Sequence, residues 1–158
     1  MSKPKRLFVL RHGHAQPFGY ECDENRALTE LGIAEVKAAA KAFIAQVETF
    51  DAIIVSPYLR AQQTAKVFLE ELNSSLNIID CPLIVPEGRK IEAAIWLDSQ
   101  RYRSILVVTH QPFAHQFLDY LVDEPLPVGF SMTTATLVSV EGVFFAGACC
   151  QFRWRFSP

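Results

Sequence analysis

Charge of one sign is what this sequence most lacks. Its 15 Lys and Arg stand against 17 Asp and Glu, the formal net charge is −2, and neither sign forms a long run. That balance excludes the broad cationic footprint of a nucleic-acid binder, while leaving room for a small local pocket. Cysteine is sparse: Cys22, Cys81, Cys149 and Cys150, with no Cys-x-x-Cys pair and no Cys/His set at zinc-ligand spacing. The expectation is four reduced thiols in a cytoplasmic protein, with no metal. Long apolar runs are also missing. The run behind the basic start, Leu7 to Leu10, is too short for a signal peptide. The longest apolar tract, 135–152, is interrupted by Glu141-Gly142 and reads as a strand pair rather than a membrane span. Neither a nucleic-acid nor a membrane partner is expected. Repeats, linkers and low-complexity segments are absent as well, so residues 1–158 are expected to form a single domain.

What the sequence does have is apolar material, at 50% of residues, enough to build a core without staples. Leu7-Phe8-Val9-Leu10, Ala52-Ile53-Ile54-Val55 and Ile105-Leu106-Val107-Val108 are short continuous apolar runs, the pattern of strands buried on both faces. A weaker strand is expected at 77–80. Between them lie helical segments. Thr29 reads as an N-cap for a helix carrying 34–47, and Ser56-Pro57 as the cap and first residue of a helix running to about Leu72. Residues 91–97 read as helical, and Gln111-Pro112 as the opening of a helix to about Leu121. A polar loop with Pro17, Gly19 and Asn25 is expected after the first strand. The segments 135–140 and 143–156 read as an antiparallel hairpin turning at Glu141-Gly142. Alternating strands and helices predict an α/β domain with a mostly parallel central sheet and this hairpin at one edge.

In such sheets ligands bind beyond the carboxyl ends of the strands. Arg11 and His12 follow the first strand there. Ser56-Pro57, with Arg60 just beyond, follows the second, and His110 follows the strand at 105–108. Two guanidinium groups and two imidazoles at one sheet edge make chemical sense around an anion. Arginine presents a planar fork that matches phosphate oxygens, and a helix N-terminus near Arg60 adds to the field. A neutral histidine with one free nitrogen is a competent nucleophile, provided its other nitrogen donates, commonly to a backbone carbonyl. Gly13 would let the main chain pass close to the His12 ring. Neighbouring cations would keep His12 neutral before attack. Arg11, Arg60 and His110 would then supply the positioning and charge that phosphoryl transfer needs, with no cofactor or metal.

Leu10-Arg11-His12-Gly13 resembles the Arg-His-Gly signature of the histidine phosphatase superfamily, which includes phosphoglycerate mutases. The stretch from Ser56 to Ala65 (SPYLRAQQTA) resembles that family's second motif and Val108-Thr109-His110 its third. Arg26-Ala27-Leu28-Thr29, followed by Gly32, is similar to a further segment, R-x-L-T-x-x-G. The resemblance runs in order over about 6–140. It implies a phosphoglycerate mutase-like three-layer sandwich with helices on both faces of the sheet. It also implies that His12 is the phosphorylated nucleophile and that Arg11, Arg60 and His110 bind the phosphoryl oxygens. The chain is short and lacks room for the insertion that mutases place over the site. In length and segments it resembles the SixA-type phosphohistidine phosphatases. That implies an open, shallow site able to admit a protein-borne phosphohistidine, as on a histidine-containing phosphotransfer domain. Leaving-group chemistry agrees: imidazole, with a pKa of ~6.5, departs with far less acid assistance than an alkoxide.

Two departures from the wider family stand out. His14 sits where many members carry Glu or Asp. The usual acid would fall near Leu83, where no carboxylate exists, and Glu87, beside Gly88, is the only nearby substitute. Glu87 is either that acid or a loop carboxylate in water. Arg26 either faces the pocket mouth or pairs with a surface acid. His110 either serves the reaction or caps the helix that follows it. His14 and His115 are expected at the periphery, and Trp96 and Trp154 in packing roles. Two other functions stay open: a phosphatase for small phosphomonoesters, and a phosphate-binding module with little turnover.

Overall fold

A computed structural model describes residues 3–17, 19 and 22–158. The parts of the expected polar loop at 18, 20 and 21 lie outside the described residues. Strand β1 (Lys5–Arg11) is followed by helix α1 (Glu30–Ala45), β2 (Ala52–Val55), α2 (Leu59–Glu71), β3 (Ile78–Asp80), α3 (Lys90–Ser99), β4 (Ser104–Thr109), α4 (Phe113–Leu121), β5 (Leu137–Gly142) and β6 (Gln151–Phe156). Single 3-10 turns sit at Asp23–Asn25 and Pro82–Ile84.

The strands form one sheet in the order β3-β2-β4-β1-β5-β6. β3, β2, β4 and β1 are mutually parallel; β5 runs antiparallel to β1, and β6 antiparallel to β5. The continuous apolar runs take the inner places because both of their faces must be covered. Leu7, Val9, Ile54, Ile105, Val107, Val138 and Val140 pack on one side with α3 and α4. Phe8, Leu10, Ile53, Val55, Leu106, Val108 and Leu137 pack on the other with α1 and α2. The result is the expected three-layer α/β sandwich. Trp96 packs against the first layer and Trp154 against the second. Among the described residues no helix is long and apolar enough to cross a membrane.

Three expected boundaries are corrected. Helix α2 begins at Leu59 rather than at Ser56-Pro57, with Tyr58 in the N-cap position. The reason is that Ser56 N–H still donates to Val108 O at 3.1 Å, so the chain stays on the sheet one residue longer. Helix α4 likewise begins at Phe113, two residues late, and Gln111 instead accepts from His115 N–H through its side chain. Glu141-Gly142 is not the hairpin turn. Both residues remain in β5, where Arg6 pairs with Glu141 and Lys5 with Gly142, and the connection spans 143–150. The pairing partner β1 is long enough to hold β5 straight through that point.

Candidate active site

Every chemistry-bearing residue that the sequence placed after a strand arrives at the carboxyl edge of the parallel strands. Arg11 ends β1 in register with Thr109 of β4, and His12 N–H continues the ladder to Thr109 O at 3.0 Å. Arg60 is the second residue of α2, and His110 follows Thr109 directly. His12, Arg60 and His110 are 6%, 3% and 1% exposed. Burial of this degree for an imidazole pair and a guanidinium demands partners, and the contacts supply them.

His12 Nδ1 lies 2.7 Å from Gly13 O. A carbonyl only accepts, so Nδ1 carries the proton and Nε2 keeps the lone pair. That lone pair accepts a hydrogen bond from Arg60 Nε–H at 3.2 Å. Burial, first, and then the nearby Arg60, Arg11 and Arg26 charges push His12 down to about 3, against the pull of its Gly13 hydrogen bond. The ring is therefore neutral at physiological pH, the form in which Nε2 is nucleophilic. His110 is pushed down to about 2 by burial and by His12 and the same arginines. Its ring centroid stands 5.1 Å from that of His12. Its Nε2 is 2.7 Å from Ser56 Oγ, and its buried Nδ1 has no hydrogen-bond partner among the described residues. His110 does not cap α4: Pro112 holds the N-cap position, the His110 backbone O accepts from Ala114 N–H, and the ring is held at Ser56.

Asp23, which the sequence reading overlooked, organises the arginines. Arg60 Nη1 donates to Asp23 O at 2.7 Å and Nη2 to Asp23 Oδ2 at 3.1 Å, while Arg26 Nε donates to Asp23 Oδ1 at 2.8 Å. Burial acts to raise the Asp23 carboxyl, but the Arg26 and Arg60 hydrogen bonds outweigh it and hold it below its usual range. Arg26 thus does both things expected of it: it lines the cleft and pairs with an acid. Arg11 Nη1 donates to Met132 O at 2.8 Å, and its buried Nε has no partner among the described residues.

Behind this layer stands a set of fixing contacts. Thr64 Oγ1 accepts from Gly13 N–H at 3.1 Å and donates to Arg60 O at 2.8 Å, tying the β1 loop to α2. Glu35 accepts from His14 N–H at 2.8 Å and from Thr134 Oγ1 at 3.0 Å. The Gly13 main chain passes close to the His12 ring, its carbonyl 2.7 Å from Nδ1, and a Cβ there would also meet Gly32 O at 2.6 Å and Val36 Cγ2 at 2.9 Å of α1.

Arg11, His12, Asp23, Arg26, Arg60 and Glu87 line an open cleft of about 450 Å³, while the buried His110 stands behind that wall against His12. Glu87 is exposed there, beside Pro86 and facing the same space as Gln111 and Thr134. His14, expected at the periphery, is an exposed part of this wall, with Nδ1 2.8 Å from Thr29 Oγ1. His115 lies elsewhere, its ring edge-on to Phe130 at 5.5 Å. Among the described residues no group of three or more His, Cys, Asp or Glu is placed to hold a metal ion. The donors that converge instead suit an oxyanion.

With this fold and this cleft, the chain resembles the histidine phosphatase superfamily, whose branch 1 model matches its residues 7–82. It is similar to phosphohistidine phosphatase SixA of Escherichia coli K12, at 29% identity over 97% of this chain and 94% of that one. It is also similar to the SixA homolog of Haemophilus influenzae, at 26% identity over 86% of this chain and 88% of the relative. Among solved structures, the protein histidine phosphatase SixA complexed with tungstate superposes with a TM-score of 0.84 at 26% identity, covering 97% of both chains. Tungstate is a tetrahedral oxyanion of phosphate-like shape.

Proposed function

We propose that this protein is a phosphatase that removes a phosphoryl group from a protein phosphohistidine through a covalent intermediate on His12. The observation that carries the reading is the tautomer of His12: Nδ1–H is committed to Gly13 O, so the Nε2 lone pair is the atom left to attack. In the first step Nε2 forms a bond to phosphorus, and the bond from phosphorus to the substrate imidazole, protonated on its other nitrogen, breaks, so that the electron pair stays on the departing nitrogen and the ring leaves neutral. In the second, a water oxygen forms the new bond to phosphorus, the His12–phosphorus bond breaks with its electron pair returning to Nε2, and the water protons leave with inorganic phosphate. Arg60 Nε–H, now on the His12 lone pair, stands where an equatorial phosphoryl oxygen would take it over. Arg11 and His110 would bind the same group, each through a nitrogen with no partner among the described residues. Preorganised donors of this kind supply most of what phosphoryl transfer requires, and no metal is called for in either step.

The open cleft and the leaving group support the protein-borne substrate, a histidine-containing phosphotransfer domain being the kind of partner that fits. Glu87 would be the carboxylate to assist an alkoxide, Asp23 being held by Arg26 and Arg60, but it sits exposed on the wall. Phosphomonoesters should therefore turn over slowly, at least about a hundredfold below a phosphohistidine protein, the ordinary worth of a missing general acid. The reaction would take place in the cytoplasm, where Cys22 and Cys149 would stay reduced. The test is to follow phosphate release from a phosphohistidine protein and from p-nitrophenyl phosphate with chelator present. The expected result is rapid release from the first, slow release from the second and none from either with His12→Ala. Equal rates on both substrates would replace the reading with a phosphomonoesterase, and binding without release with a phosphate-reading module.

A further inference from the structure

Ser56 is a buried polar residue of this region that the reaction above leaves without a task. It was expected to cap α2, but Tyr58 holds the N-cap position and no side chain caps that helix. The Ser56 side chain is nevertheless completely buried. Its Oγ accepts from Tyr58 N–H at 3.3 Å and sits 2.7 Å from Nε2 of His110.

We propose that Ser56 is a positioning residue: its hydroxyl donates to Nε2 of His110 and thereby keeps the ring proton on Nδ1, making His110 a neutral hydrogen-bond donor to the phosphoryl group. The inference rests on the phosphatase reading for its purpose, but its geometry stands alone. A serine hydroxyl has one proton to give. With Tyr58 N–H already filling a lone pair, the short contact left for that proton is the imidazole nitrogen. A neutral imidazole that accepts at Nε2 must carry its proton on Nδ1, the nitrogen with no partner among the described residues. The opposite assignment fails twice. Nε2–H would donate to Ser56 and strand the hydroxyl proton in a buried setting. Nδ1 would then offer a lone pair to an anion, which repels it. The arrangement also mirrors His12, where a fixed acceptor at Nδ1 frees Nε2 as the lone pair. Two rings 5.1 Å apart are thereby set to opposite tautomers, one to attack and one to donate.

The experiment is two-bond 1H–15N correlation on histidine-labelled protein near neutral pH, with titration by inorganic phosphate. Wild-type protein is expected to show His110 protonated at Nδ1. Ser56→Ala is expected to shift the ring toward Nε2–H and to weaken phosphate binding on the order of tenfold, the worth of one hydrogen bond to a charged group. A wild-type ring protonated at Nε2 overturns the proposal without any variant. So does an unchanged Nδ1–H ring in Ser56→Ala, whatever happens to affinity. Neither reading uses turnover, so loss of this proposal leaves the His12 nucleophile untested, and loss of that nucleophile leaves the tautomer result standing.

Discussion

Arg60 commits three of its five N–H donors to the protein: Nε on His12, Nη1 on the Asp23 carbonyl and Nη2 on the Asp23 carboxylate. The same carboxylate holds Arg26. Removing it sets two effects against each other. The phosphoryl group loses a nearby negative charge, but two charge-assisted hydrogen bonds that orient the guanidinium groups disappear, each worth about 1.5–3 kcal/mol. Because Asp23 is partly exposed and its repulsion is screened, loss of orientation should win. Asp23→Ala is expected to lower kcat/KM on the order of tenfold, with a smaller loss for Asp23→Asn, in steady-state assays. An Asp23→Ala enzyme as fast as wild type would show that Arg60 needs no such hold. The buried imidazoles make a second prediction. His12 and His110 titrate at about 3 and about 2 in the folded protein, against ~6.5 in an unfolded chain. Lowered folded values mean that the unfolded state takes up protons the folded state refuses. Their stability is fully present above pH ~6.5 and is lost as pH falls toward the folded values. Between about pH 6 and pH 5, urea unfolding should show a slope approaching about 1.4 kcal/mol per pH unit for each ring. His12→Asn should reduce that slope by one proton, and an unaltered slope would contradict the account. At this scale the sequence was readable where chemistry follows a strand directly, as at Arg11, His12 and His110. Asp23 was not, because it reaches Arg60 from a loop whose path no local pattern dictates. Ser56 was misread because its hydroxyl serves a partner 54 residues away, which a capping rule cannot see.

Helix α1 holds the nucleophile loop through its N-terminus. Thr29 Oγ1 accepts from Gly32 N–H at 3.1 Å as the N-cap and lies 2.8 Å from His14 Nδ1, and Thr29 N–H donates to His14 O at 3.0 Å. Gly32 then lies so close to the loop that a Cβ would meet His14 O at 2.0 Å. The contact is to backbone, so nothing flexible yields. Gly32→Ala is expected to destabilise the protein by more than Thr29→Ala, whose loss is about 1 kcal/mol for a cap. It should also lower activity by moving the loop that carries His12. Thermal unfolding alongside turnover checks both; Gly32→Ala with wild-type stability would contradict the close packing. The elements themselves were legible where pattern and cap agree, as in the buried runs of β1, β2 and β4 and the Thr29 cap. They were blurred where tertiary pairing overrode local turn chemistry. Gly142 reads as a turn residue, yet it pairs with Lys5 inside β5.

The whole molecule places its chemistry by topology. Four parallel strands, covered by α1 and α2 on one face and α3 and α4 on the other, bring residues 11, 12, 56, 60 and 110 to one edge although they are far apart in the chain. The same edge is open to solvent, which suits a substrate carried on another protein. The account depends on Nε2 of His12 becoming phosphorylated. Rapid acid-free quenching of the enzyme with 32P-labelled phosphohistidine protein, followed by peptide mapping, tests this directly. The account predicts a transient label on His12, stable to alkali, lost in acid and absent from His12→Ala. Phosphate release at the full rate with no label on His12 at any time would contradict it.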